Sequence, residues 1–153
     1  MKIAVIGGGA IGMLICSYLQ PVCDVTLYVR RLEQKQQIDK HGLVRQTGNT
    51  SKVLKLKVDI LSNQEIDADY IFVTVKQYDL ASILDNIKNI KEHQTIVFLQ
   101  NGMGHLKYAK ELEKGYIVLG VVEHGALKVN DWTVNHTGIG RTKLASYGIV
   151  KKK

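Results

Sequence analysis

Short apolar runs alternate with segments of helical period along most of the chain. KIAVIG (2–7) reads as a buried strand around Ile3 and Val5, and AIGMLICSYLQ (10–20) as a helix with Ile11, Leu14, Ile15 and Leu19 on one side, stopped by Pro21. DVTLYV, Asp24 to Val29, is alternating and β-branched, which predicts a second strand, and RLEQKQQIDKHG (31–42) predicts a polar helix ended by Gly42. In LVRQTGNTSKVLKLKV (43–58) the alternation from Val53 to Val58 behind TGNTS predicts a hairpin with a Gly-Asn turn and one solvated face.

The second half continues in the same manner. DYIFVTVK (69–76) is the most hydrophobic run and predicts a central strand, and DLASILDNIKNI (79–90) spaces Leu80, Ile83, Leu84, Ile87 and Ile90 as the inner face of a helix. TIVFLQ (95–100) predicts a strand, HLKYAKELEKG (105–115) a helix closed by Gly115, and YIVLGVVE (116–123) a further strand. Two alternating runs flank Asn130 and Asp131 and predict an antiparallel hairpin at the sheet edge. Strands separated by helices require parallel order with right-handed crossovers. The expected fold is α/β, a Rossmann-like, doubly wound and mostly parallel sheet with an antiparallel edge hairpin, in one domain over residues 1–148 with a lysine tail at 149–153.

Composition narrows the function classes. At 153 residues with 45% hydrophobic and 23% charged residues, a single globular domain is expected. The net charge of +7 raises a nucleic-acid reading. Lys151, Lys152 and Lys153 carry part of that excess, and acidic neighbours such as Glu111 and Glu113 intersperse the rest, so no basic face forms and no nucleic-acid partner is expected. Cys16 and Cys23 lack a CxxC or framework spacing, which suits a reducing compartment. The N-terminal apolar stretch is interrupted by three glycines and lacks a clear cleavage site, so it is not read as a signal or a membrane anchor. A cytoplasmic protein with no membrane association is expected. His124 and His136 have no Cys or carboxylate constellation, so no metal site is expected.

The chemistry concentrates at the turn after the first strand. Gly7, Gly9 and Gly12 form G-x-G-x-x-G between a strand and a helix, with a second strand ending about 18 residues later, as the dinucleotide fingerprint requires. Gly7 permits the tight turn, Gly9 removes a side chain where a pyrophosphate approaches, and Gly12 lets the helix pack on the strands. The helix N-terminus then offers free N–H groups and a positive dipole end to phosphate. The second strand ends in Arg30 and Arg31 where an NAD site offers a carboxylate, so NADP(H) is the expected cofactor, the bland alternative being an exposed arginine pair at a helix start.

Taken in order, GGGAIG, the VR after the second strand, VTVK (73–76), QNGMG (100–104), HGA (124–126) and NHTGIGRTKL (135–144) resemble the N-terminal part of the ketopantoate reductase family. The resemblance implies NADPH-dependent reduction of 2-dehydropantoate to pantoate, a step toward pantothenate and coenzyme A. It implies that Gly7, Gly8, Gly9, Ala10, Ile11 and Gly12 bind the pyrophosphate and Arg30 the 2′-phosphate. It further places Lys76 and Asn101 by the nicotinamide and its ribose, Asn101 also against the small 2-keto acid substrate, and Ala126 against the cofactor through its backbone.

Read from the residues alone, Lys76 is equally a solvated strand-end lysine and Asn101-Gly102 a common turn dipeptide. Members of that family carry a second, helical domain with the general acid, so the expectation is a truncated chain whose catalytic acid is not among these residues. A domain lacking its partner would expose apolar surface, and a homodimer is a consequence to test. Two rivals stay open: a non-catalytic regulatory dinucleotide-binding module, and a reductase of another 2-keto acid. The absence of an acidic residue after the second strand and the presence of NGMG disfavour the module.

Overall fold

The computed structural model describes residues 1–149, so the expected tail falls, beyond Ile149, outside the described residues. In chain order the elements are β1 (Lys2–Ile6), α1 (Ala10–Leu19), β2 (Asp24–Val29), α2 (Leu32–His41), β3 (Leu43–Thr47), β4 (Thr50–Leu54), β5 (Lys57–Ile60) and β6 (Tyr70–Val73). There follow a 3-10 turn (Gln77–Asp79), α3 (Leu80–Ile87), β7 (Thr95–Phe98), α4 (Leu106–Ala109), β8 (Tyr116–Val122), β9 (Gly125–Lys128), β10 (Thr133–Gly138) and β11 (Thr142–Ile149).

Strict alternation in β1 explains the layering. Ile3 and Val5 join one buried cluster with Met13 and Leu14 of α1 and Ile38 of α2, while Ala4 and Ile6 join another with Leu80, Ile83 and Ile87 of α3. Each face of the strand is therefore covered by helices, and each large aliphatic side chain so buried stabilises by about 2 kcal/mol. The sheet runs β11-β8-β7-β6-β1-β2-β5, with β6 in the middle. All neighbours are parallel except β11, which closes one edge antiparallel to β8. From β1 the chain winds to β2 and β5, then restarts at β6 and winds to β7 and β8. The order thus switches direction between β1 and β6, where open α/β sheets form a ligand crevice.

Four local expectations change. The run 53–58 is shared between two sheets: Thr47 pairs with Thr50 around the expected Gly48-Asn49 turn, but β4 ends at Leu54 and β5 joins β2. Leu54, Leu56 and Val58 stay buried throughout, so the alternation survives while the pairing partner changes. The hairpin flanking Asn130 and Asp131 forms as β9 and β10, but it lies in a second sheet, β4-β3-β10-β9, and the antiparallel edge of the main sheet is β11 instead. α1 lies between the two sheets, so its covered surface is wider than one stripe: Met13, Leu14 and Cys16 are buried, while Ile11, Ile15 and Leu19 are half-buried. Finally, the helix expected over 105–115 is one turn long. Of its side chains past Leu106 only Ala109 and Leu112 are fully buried, with Tyr108 half-buried, and the chain tightens into short turns, Glu111 N–H to Tyr108 O at 3.0 Å and Leu112 N–H to Ala109 O at 3.3 Å.

Candidate functional site

A cleft of about 860 Å³ opens over the C-terminal ends of β1, β2, β6, β7 and β8, at the switch point. Its floor is the turn from β1 into α1. Gly7 has φ +120, and a Cβ there would lie 2.8 Å from Thr74 Oγ1 and 2.9 Å from the Val75 nitrogen. A Cβ on Gly12 would overlap the Gly7 carbonyl oxygen, so the first turn of α1 rests on the loop with no room for a side chain. A Cβ on Gly9 would meet nothing within 4 Å. Gly9 is the N-cap and offers no side-chain cap, and the first intrahelical bond runs from Met13 N–H to Gly9 O at 3.0 Å. The N–H groups of Ala10, Ile11 and Gly12 therefore precede the helical ladder, and no acidic side chain occupies the first turn.

Three buried or half-buried polar side chains that the sequence did not single out brace this floor. The Thr74 hydroxyl donates to Ile6 O at 2.9 Å and Gly7 O at 3.1 Å, tying the end of β6 to the loop. Gln34 Nε2 donates to Gly8 O at 2.8 Å and to Asp131 O at 3.2 Å, tying the loop to the β9–β10 turn. Gln100 Nε2 donates to Val73 O at 2.8 Å and Val75 O at 3.0 Å, joining the segment after β7 to the one after β6. Thr74 and Gln100 sit inside VTVK and QNGMG, so a signal existed; Gln34 is one of several polar residues on α2 and carried none.

The rim carries the charged groups. Arg30 pairs with Asp79 at 3.2 Å, its side chain 55% exposed. Arg31 turns to the second sheet and pairs with Asp131, which also meets Lys128 at 3.2 Å. The Arg31 hydrogen bond first, and Lys128 after it, hold the Asp131 carboxyl below the usual carboxylate range against a burial contribution of opposite sign. Of the arginine pair, Arg31 is thus bound into the β9–β10 turn, and Arg30 has the more remote partner. Lys76 precedes the 3-10 turn, whose Asp79 N–H donates to Lys76 O at 2.9 Å.

Gly7, Gly8, Gly9, Ala10, Ile11, Arg30, Lys76, Asn101 and Ala126 all line this one cleft, and Gly12 lies buried beneath it. Residues from five separate segments, 7–12, 30, 76, 101 and 126, are brought together by the strand order. Among the described residues no cluster of His, Cys, Asp and Glu could hold a metal ion, and no helix is long and apolar enough to cross a membrane. Burial pushes the Cys16 thiol well above its usual range, which makes it an inert packing residue.

A parallel switch point with a glycine turn feeding an uncapped helix N-terminus defines the class: a Rossmann-like α/β protein with a dinucleotide-type cleft. The sequence pattern described as ketopantoate reductase PanE/ApbA matches residues 3–148, and the chain belongs to that family of dinucleotide-binding oxidoreductases. The 2-dehydropantoate 2-reductase of Bacillus subtilis (strain 168) is 38% identical over 150 residues, covering 96% of this chain and 49% of that protein. The protein of the same name from Listeria monocytogenes is 33% identical over 150 residues, with 96% and 50% covered.

Among solved structures, the panE protein of Bacillus subtilis superposes with a TM-score of 0.89 at 36% identity, covering 99% of this chain and 51% of that one. D-mandelate dehydrogenase, solved with NADH and anilino(oxo)acetate, gives 0.87 at 29% identity, with 97% and 49% covered. The chain spans about half the length of the relatives it matches.

Proposed function

We propose that this chain is the NADP(H)-binding domain, over residues 1–148, of a reductase that converts 2-dehydropantoate to pantoate. The observation that carries the reading is the cleft itself. The free N–H groups of Ala10, Ile11 and Gly12, the space where a Gly9 side chain would stand, and the Arg30 guanidinium fit a dinucleotide.

In this reading the loop from Gly7 to Gly12 takes the pyrophosphate, because unpaired N–H groups and the helix dipole both favour negative charge. Arg30 takes the 2′-phosphate, exchanging one half-buried carboxylate, Asp79, for a dianion that its planar fork can grip at two points. The nicotinamide, when bound, supplies the hydride. Lys76 and Asn101 orient the nicotinamide ribose, Ala126 supports the cofactor through its backbone, and Asn101 donates to the keto acid. That arrangement limits the substrate's approach to the nicotinamide face, which is where binding can be converted into rate.

A relative solved with NADH makes the choice of cofactor the sharpest test. Calorimetric titration of NADPH and NADH into the chain should give tighter NADPH binding, and Arg30→Ala should abolish the difference. Equal or tighter NADH binding by the wild-type chain rejects the assignment of Arg30. Reduction of a different 2-keto acid is the second reading, favoured by the D-mandelate dehydrogenase likeness, and turnover with a panel of keto acids separates the two. We also infer a homodimer through β11, a long edge strand exposed from Thr142 to Gly148, which sedimentation velocity tests.

A further inference from the structure

Where β8 gives way to β9, a chain of hydrogen bonds leads from the surface to the cleft. His124 lines the cleft near Val122 and Ala126. Its Nδ1 accepts from Gly140 N–H at 3.1 Å and lies 3.1 Å from His136 Nε2. His136 is 6% exposed, and its Nδ1 lies 2.7 Å from the hydroxyl of Tyr18 on α1. The outer end is braced as well: the Arg45 guanidinium stacks 3.7 Å over the Tyr18 ring and donates to Ser17 O at 3.2 Å.

Proton counting fixes both rings. A backbone amide can only donate, so His124 Nδ1 is an acceptor and bears no proton. The contact with His136 then needs the proton on His136 Nε2, and with that ring neutral its Nδ1 accepts from the Tyr18 hydroxyl. Neutral His124 in turn carries its proton on Nε2. One neutral tautomer of each ring accounts for all three contacts, His124 Nδ1 sharing its single lone pair between the Gly140 N–H and His136 Nε2–H, and donation runs in one direction, from Tyr18 through His136 to His124.

We propose that His124 is a fixed, neutral hydrogen-bond donor of the cleft, presenting Nε2–H to the carboxamide oxygen of a nicotinamide, with His136 and Tyr18 as positioning residues that lock its tautomer. The proposal rests on the dinucleotide reading and deepens it. Arg30 follows β2 and His124 follows β8; the order β8-β7-β6-β1-β2 separates these strands by four spacings, about 19 Å. A dinucleotide with its adenosine phosphate on Arg30 therefore brings its other end toward His124. A neutral donor matches an amide oxygen there, and it sets no fixed cation against a ring that becomes positively charged when the hydride leaves.

Two ligands separate this assignment from the reading it rests on: NADPH, and 2′-phospho-ADP-ribose, which lacks the nicotinamide. His124→Ala should weaken NADPH binding about tenfold, the worth of one good hydrogen bond, and leave 2′-phospho-ADP-ribose unchanged. His124→Asn, which restores a donor, should recover part of the loss, and His136→Phe and Tyr18→Phe should each cause a smaller one. Imidazole ¹⁵N spectra of the unliganded chain should show both rings protonated at Nε2, with the His124 signal becoming a tautomer average in His136→Phe. Equal losses for the two ligands, no loss for NADPH, or a His124 protonated at Nδ1 overturns the assignment while the dinucleotide reading stands. Failure of the wild-type chain to bind either ligand overturns both.

Discussion

The floor of the cleft, from Gly7 to Gly12, and its rim, at Arg30, Lys76 and Asn101, are held by different forces. On the floor, Gly12 is bare because the Gly7 carbonyl occupies the space of a side chain, and Gly7 is bare because Thr74 and the Val75 backbone press on it at +120 in φ. These constraints act within the chain, with or without a ligand. On the rim, Lys76 is exposed and Asn101 stands in an exposed turn, and folding demands neither. Gly9 belongs to the floor by position and to the rim by physics, since nothing in the chain lies within 4 Å of where its Cβ would be. Substitution on the floor should therefore cost stability and binding together, whereas the rim and Gly9 should lose binding alone.

The largest effect that can break this comparison is at Gly12. Gly12→Ala forces a methyl into a backbone carbonyl, and we expect a loss of about 3 kcal/mol in urea unfolding, the upper end of ordinary overpacking costs. Gly9→Ala should change stability by under about 0.5 kcal/mol and still weaken NADPH binding. Similar stability losses at both positions would erase the distinction.

Next is Arg30→Ala, expected to lower NADPH affinity by about tenfold to a hundredfold, the range of a charge-assisted contact, with NADH affinity nearly unchanged. Stability should barely move, because the Arg30–Asp79 pair is more than half exposed at the arginine. Gln34→Ala removes the donor to Gly8 O and Asp131 O and should cost about 1–2 kcal/mol in thermal unfolding, as a floor position must.

The smallest effect concerns pH. Burial holds the imidazole of His105, 4% exposed and stacked on Phe98, below the ordinary histidine range. The unfolded chain therefore takes up that proton first as pH falls, and stability should decline from about pH 6.5 downward until the folded state also protonates. His105→Phe should flatten that decline in a pH series of melting temperatures.

Most of the main sheet was legible because β1, β2 and β6 carry dense apolar runs at the period of a strand, and the glycine turn declares its own geometry. What escaped reading depends on partners distant in sequence. The second sheet forms because β10 pairs with β3, 89 positions apart at Thr133 and Val44, and nothing in either short run names the other. The same holds for Gln34, which reaches Gly8 and Asp131 across 26 and 97 residues. Arg30, Lys76 and Asn101, named by strand-end position and the family resemblance, and Ala126, named by the resemblance alone, all line the candidate cleft. The hydrogen-bond chain from Tyr18 to His124 was not legible, because its three rings come from α1, β10 and the β8–β9 link.

The most direct test of the central claim is an amide map of the ¹⁵N-labelled chain titrated with NADPH. Shifts are expected along one path, from the loop of Gly7 to Gly12 through Arg30 to Lys76, Asn101 and Ala126, with the Arg30 end silent when NADH replaces NADPH. Shifts confined to another face, or a loop that does not respond at saturating NADPH, would contradict that claim.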